Sequence, residues 1–166
     1  MARIKFQGLE EYEKLLSKIS SPTATREIAG AAIYAGAEVV ADAIKKSIEA
    51  LPVVEDDLQR HGSARHMLTT ITKKQKDGLL EGFGITQMRE ESGYYNVKLG
   101  FDGYNKVKTK QYPAGQPNAL IARSINSGTS FRAKTQFVDL ATKESKPQAE
   151  KAMAKAFDKK LEEQMK

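Results

Sequence analysis

The segment "REIAGAAIYAGAEVVADAIKKSIEAL", residues Arg26 to Leu51, constrains the fold more than any other. Ile33, Ala37, Val40, Ile44, Ile48 and Leu51 recur on one side at helical spacing, which predicts a helix over about 25–51. Its first half is slim, with Ala29, Gly30, Ala31, Ala32, Ala35 and Gly36. A glycine inside a helix costs about 1 kcal/mol relative to alanine. Close packing of another backbone or a sheet is the compensation that such a stripe calls for. Arg26, Glu27, Glu38 and Asp42 break the apolar run, which excludes a membrane-spanning helix.

The rest of the chain is read around this rod. Ile4 and Phe6 share one face of a short extended lead-in, which Gly8 ends. Leu9, Tyr12, Leu16 and Ile19 then mark one face of a first helix. Ser21 is placed to cap the long helix, with Pro22 as its first residue. After Pro52, residues 52–66 read as an exposed connection. "MLTTIT" and "LLEGFGITQM" have the β-branched residues and glycines of a β-region. "REESGYYNVKLGF" reads as a hairpin turning at Glu91-Ser92-Gly93, with Tyr95, Val97, Leu99 and Phe101 alternating along one half-buried strand. Residues 102–117 form a long mobile loop, rich in Gly, Pro and Lys. Asn118 is expected to cap a short helix over "ALIARSIN", and Gly128 to close it with a left-handed C-terminal cap. Phe137, Val138 and Leu140 return to the core. Pro147 is expected in the first turn of a last helix, with Ala149, Met153, Ala156 or Phe157, and Met165 on its apolar face.

These elements predict an α+β fold in a single domain, 1–166. An antiparallel sheet of three to four strands packs against the alanine-rich helix and a C-terminal helix. The length of 166 residues suits one core. The N-terminal stretch has no apolar run of the secretory kind, so the expected place of synthesis is the cytoplasm. Without cysteine the chain has no disulfide, thiolate ligand or thiol nucleophile.

The net charge of +6 is concentrated. Residues 1–50 and 51–100 are each balanced, with seven basic and seven acidic groups. From Gly103 to Val138 stand Lys106, Lys108, Lys110, Arg123, Arg132 and Lys134 with no acid among them. Such a stripe points to a partner surface, or to a solvated loop that keeps the chain soluble. Tyr104, Tyr112 and Phe131 interleave it, so the same residues suit nucleic-acid phosphates and bases or an acidic protein surface.

Catalytic chemistry finds no constellation. His61 and His66 lie five apart, off the spacing that sets two imidazoles on one helix face. "SINSGTSFRAKTQFV", residues 124–138, has hydroxyls but no nucleophile elbow and no phosphate-loop lysine. The acidic pairs in "EDD" and "EES" fall in turns. No catalytic residue, metal ligand or cofactor is expected. A small hydrolase or toxin remains as a third reading, resting only on the two histidines and scattered hydroxyls.

The order of elements resembles that of a known family. A "GLEEYEKLLSKI" lead-in precedes "IAGAAIYAGAEVVADAIKKSI", then a β-region, then "IARSINSGTSFRAKTQFVDLATKESKPQAEKAMAKAFDKKLEEQ". This resembles the tail-completion or neck (head-tail joining) proteins of long-tailed, lambdoid-type phages and prophages, often labelled tail component or morphogenesis protein. The family pattern has a glutamate two residues before Gly-Thr, then Pro-Phe, then a C-terminal helix. Gly128-Thr129 stands at the Gly-Thr and Phe137 at the Phe, a structural corner, whereas Asn126 replaces the glutamate and Gln136 the proline. The resemblance skips the loop 102–117. It implies a virion structural protein at the head–tail junction with no catalysis or cofactor. Such a protein forms a homo-oligomeric ring in the virion, is a monomer in isolation, and contacts other neck and tail proteins and channel DNA. It is made in the host cytoplasm and binds no membrane. Tail completion, tail terminator and head closure all stay open. Tyr104, Lys106, Lys108, Lys110, Tyr112, Arg123, Arg132 and Lys134 are the candidates for the partner or subunit interface.

Overall fold

The computed structural model describes residues 9–54 and 67–165, with side chains from residue 13 onward. The lead-in with Ile4, Phe6 and Gly8, the side chains of Leu9 and Tyr12, and residues 55–66 with His61, His66 and "EDD" lie outside it. Five helices and six short strands follow in the order α1 (Leu9–Ile19), α2 (Pro22–Glu49), β1 (Val53–Val54), β2 (Ile71–Thr72), α3 (Lys73–Gly82), β3 (Phe83–Ile85), β4 (Arg89–Glu91), β5 (Tyr94–Asn96), β6 (Leu99–Phe101), α4 (Asn118–Ser127) and α5 (Phe137–Met165) among the described residues. The fold is mixed helix and sheet, α+β, as expected.

α2 starts as the sequence predicts. Ser21 is extended and its side chain accepts from the Ala24 N–H, with Pro22 in the first turn. Ala24, Ile28, Ala32 and Gly36 are buried at intervals of four. α5 buries Phe137, Ala141, Ser145 and Ala149 at the same interval. The two helices meet in the most extensive packing of the fold. The Ser47 hydroxyl near the end of α2 donates to Phe137 O at 3.0 Å, and Gln164 near the end of α5 donates to Glu27 at 2.8 Å. The helices are therefore antiparallel along nearly their whole length. Within the stripe of alanine and glycine, Gly36 lets α5 approach closely: a β-carbon there would lie 3.5 Å from Ala149 O and closer still to Met153.

Pro147 falls inside α5, not in its first turn. Lacking an N–H, it leaves the carbonyl four residues earlier without its helical donor, yet ten residues of helix precede it. The helix starts at Phe137. Leu140 is 47% exposed rather than in the core, and Met153, Phe157 and Met165 are also exposed, so of the proposed apolar face Ala149 alone is fully buried. Leu16 of α1 is likewise exposed at 64%.

The expected single sheet of three to four strands is replaced by three two-stranded ladders among the described residues. β1 pairs with β2 in parallel. β3 pairs with β6 and β4 with β5, both antiparallel. The last two belong to one long hairpin. The β3–β6 ladder extends to Thr86, whose N–H donates to Lys98 O. Beyond it Gln87 and Met88 together oppose Val97, and the pairing resumes at Arg89 and Asn96 with a slip of one residue. That is a β-bulge, which bends and twists a strand. The alternation from Tyr95 to Phe101 thus spans two strands. The turn is at Ser92-Gly93, both with positive φ (55° and 80°), the geometry of a two-residue hairpin.

Leu79 to Gly82, expected in the β-region, are helical. The signal is Thr72-Lys73-Lys74-Gln75, a capping box: the Gln75 N–H donates to the Thr72 hydroxyl and the Thr72 N–H to Gln75 Oε1, each at 3.1 Å. The core lies where the second half of α2 meets α3, α4, β3 and the start of α5. Ile44, Ile48, Ile71, Leu79, Phe83, Ile121, Ile125 and Phe137 are buried there. Removing each such side chain from water stabilises by about 1.5–3 kcal/mol.

Candidate partner-binding surface

The basic loop is built outward from a closed neck. Asn105 N–H donates to Gln116 O, Gln116 N–H to Val107 O, and Asn118 N–H to Gly103 O. The Asn105 side chain, buried despite its place in a polar loop, accepts from the Val107 N–H at 2.7 Å. Gly115 (φ +121°) passes so close that a β-carbon there would lie 2.1 Å from Asn105 O. Past the neck, Thr109 and Tyr112 exchange backbone bonds across the tip. Asn118 does not cap α4. It is the helix's first residue, and its Nδ2 donates to Asp102 O at 2.8 Å.

Along this frame Lys106, Lys108 and Lys110 are exposed, Tyr104 is 70% exposed and Tyr112 is half-buried. Lys106 and Tyr104 line a cleft of about 270 Å³ with Asp77 and Glu81 of α3. Sequence reasoning missed these two carboxylates, although their i, i+4 spacing puts them on one helical face. Arg123 is exposed on α4 at the edge of a different groove, about 470 Å³, floored by Val40, Leu99, Phe101 and Val138. Lys134 is exposed on the far side of the corner.

Arg132 departs from expectation. It does not face outward but is buried, 6% exposed, and its Nη1 donates to Thr70 O at 2.7 Å. Burial lowers the pKa of its guanidinium below the ordinary arginine value. Its backbone exchanges hydrogen bonds with Thr129, and the neighbouring Phe131 O and Ala133 N–H bond to Leu68 on the adjacent segment. A parallel bridge pulls this residue inside, which no local pattern announces. The eight candidates therefore divide among separate clefts and open surface.

The corner departs from expectation in its backbone conformation. Gly128 has φ +76° but ψ 172°, extended rather than left-handed helical. That region is open essentially to glycine alone. A β-carbon there would lie 3.0 Å from Lys134 N and 3.1 Å from Arg132 O. Phe137 is buried and stacks edge-on to Phe101, with ring centres 6.3 Å apart. Ser127 and Ser130 are exposed. Among the described residues, no three His, Cys, Asp or Glu side chains converge as a metal site would need. No described helix is long and apolar enough to cross a membrane.

Comparison with family models, curated proteins and solved structures found no match to this chain.

Proposed function

We propose that this chain is a virion structural protein of a phage head–tail junction, acting in tail completion or as a neck component and joining the tail to the head-side connector as an oligomeric ring. The observation that carries the reading is the acid-free stretch from Gly103 to Val138. Its lysines project from a loop whose neck is pinned by backbone bonds. A pinned neck with a projecting basic tip suits a contact made to another subunit. A ring needs two different surfaces that meet between neighbours. Exposed Leu16, Met153, Phe157 and Met165 on the α1, α2 and α5 arm supply apolar surface for the opposite side of such a contact. The family resemblance of the alanine-rich helix, the Gly128-Thr129 corner and the C-terminal helix supplies the place in the particle.

The test is joining. Lys106, Lys108 and Lys110 are all changed to Glu, and the variant is supplied to particles lacking this protein. The expected outcome is heads and tails that accumulate separately while the variant itself folds. Normal joining would sink the reading. The alternative, nonspecific nucleic-acid binding, draws on exposed Tyr104 beside Lys106, an aromatic with a cation for a base and its phosphate. It requires a DNA affinity that falls steeply with added salt.

A further inference from the structure

We infer that Arg132 forms the floor of a carboxylate-binding pocket between α4, the corner that follows it and α3. The cleft has a volume of about 200 Å³. Arg132, Gln75, Gln116, Ser124 and Thr129 supply its polar lining, and Leu120 and Phe131 its apolar lining. A guanidinium carries five N–H donors in a planar fork and no acceptor. Among the described residues its side chain makes one hydrogen bond, Nη1 to Thr70 O, and no carboxylate pairs with it. A cation taken out of water without a counter-charge is strongly disfavoured. Burial already lowers this group's pKa. An anion in the cleft relieves that penalty.

The surroundings select the kind of anion. Gln75 Oε1 is occupied by the Thr72 N–H, which leaves the NH₂ of that side chain as its remaining donor. Ser124 and Thr129 add hydroxyls. Leu120 and Phe131 stay about half exposed at the surface (42% and 45%), apolar neighbours for whatever carries the charge. Arginine pairs with carboxylate through two parallel N–H···O bonds. A duplex phosphate backbone meets exposed cations, and it does not reach one that is 6% exposed. A carboxylate on an acidic side chain or a chain terminus, flanked by apolar residues, is small enough for a cleft of about 200 Å³. Naming a neighbouring neck or tail subunit as its source rests on the proposed function; the anion preference of the pocket does not.

The experiment titrates the full chain with four probes and follows the backbone amides of Thr129, Phe131 and Arg132 by NMR. The probes are acetyl-Phe-Leu with a free carboxylate, the same peptide amidated, acetyl-Leu-Glu-Leu amide, and inorganic phosphate. A carboxylate peptide is expected to shift these amides with a Kd on the order of 1 mM, the amidated control having no effect. The free-terminus peptide acting alone identifies a chain terminus; the glutamate peptide acting alone identifies a side chain. Arg132→Gln should abolish the response. Because that variant removes a buried bond, Leu120→Glu at the exposed rim provides a second test, with binding weakened about tenfold or more. The proposal is overturned by equal shifts with the amidated control, by no shift at about 10 mM of either carboxylate peptide, by phosphate binding more tightly than both, or by undiminished binding in Leu120→Glu. Peptide binding can fail while head–tail joining still depends on the lysines, so the two readings are separable.

Discussion

The hydroxyl of Tyr34 on α2 accepts a 2.8 Å hydrogen bond from the backbone N–H of Met88. Met88 is one of the two bulge residues facing Val97, so its N–H is released from the hairpin ladder. The same residue's Sδ and Cε lie about a contact distance, 3.5 and 3.4 Å, from where a β-carbon on Gly30 would stand. The bulge therefore docks the hairpin on the slim half of α2 twice, by a polar and an apolar contact. Tyr34→Phe removes only the acceptor. It should cost about 1–2 kcal/mol, read as a lower urea midpoint at unchanged slope. Hydrogen exchange at Met88 should quicken more than at Phe83.

Gly36 and Met153 test the α2–α5 contact. A β-carbon on Gly36 would lie 2.4 Å from Met153 Cγ. Gly36→Ala gains about 1 kcal/mol of helix propensity but forces the methionine aside, at about 1–3 kcal/mol. We expect a net loss of stability in the single variant and its recovery in Gly36→Ala with Met153→Ala, measured as a coupling in a double-mutant cycle.

Thr72→Ala should destabilise by about 1 kcal/mol through loss of the N-cap. Gln75→Ala should do much the same. Their bonds are reciprocal, so the double variant should lose less than the sum of the two, by thermal unfolding. Full additivity would contradict the capping box.

Gly128→Val should cost about 2–4 kcal/mol, from a backbone conformation closed to it and from crowding against Arg132 O and Lys134. Ser127→Ala and Ser130→Ala, exposed on either side, should stay within about 0.5 kcal/mol and leave any biological readout intact. A large functional loss with unchanged stability in either serine variant would reopen a catalytic role for this corner.

Much of the helical frame was legible. Ser21-Pro22 announced the start of α2, the periodicity announced its length, and Ser92-Gly93 announced the hairpin turn, because each signal is confined to a few neighbouring residues. α3 was legible in principle through Thr72 and Gln75, but the glycines at 78 and 82 disguised it. Their smallness answers a distant contact: a β-carbon on Gly82 would lie 2.2 Å from Asp102 O. Pro147 misled because proline more often begins a helix than interrupts one. Of the candidate site, the exposed lysines were legible from charge alone, whereas Asp77 and Glu81 beside Lys106 were not, since the loop reaches α3 only in the folded chain.

The sequence by itself determined the long slim helix, the basic stripe and the need for glycine at position 128. These follow from backbone sterics, side-chain size and charge, which act locally. Only the tertiary structure decided that the slim half of α2 meets both α5, at Gly36, and the hairpin, at Gly30, and that the hairpin carries a bulge held by Tyr34. It also decided that Arg132, one of six cations alike in sequence, is buried while Lys106, Lys108, Lys110, Arg123 and Lys134 stay in water. Burial depends on which segments pair across the fold. A parallel bridge to Leu68 draws Arg132 inside, and that partner lies 64 residues away in the chain.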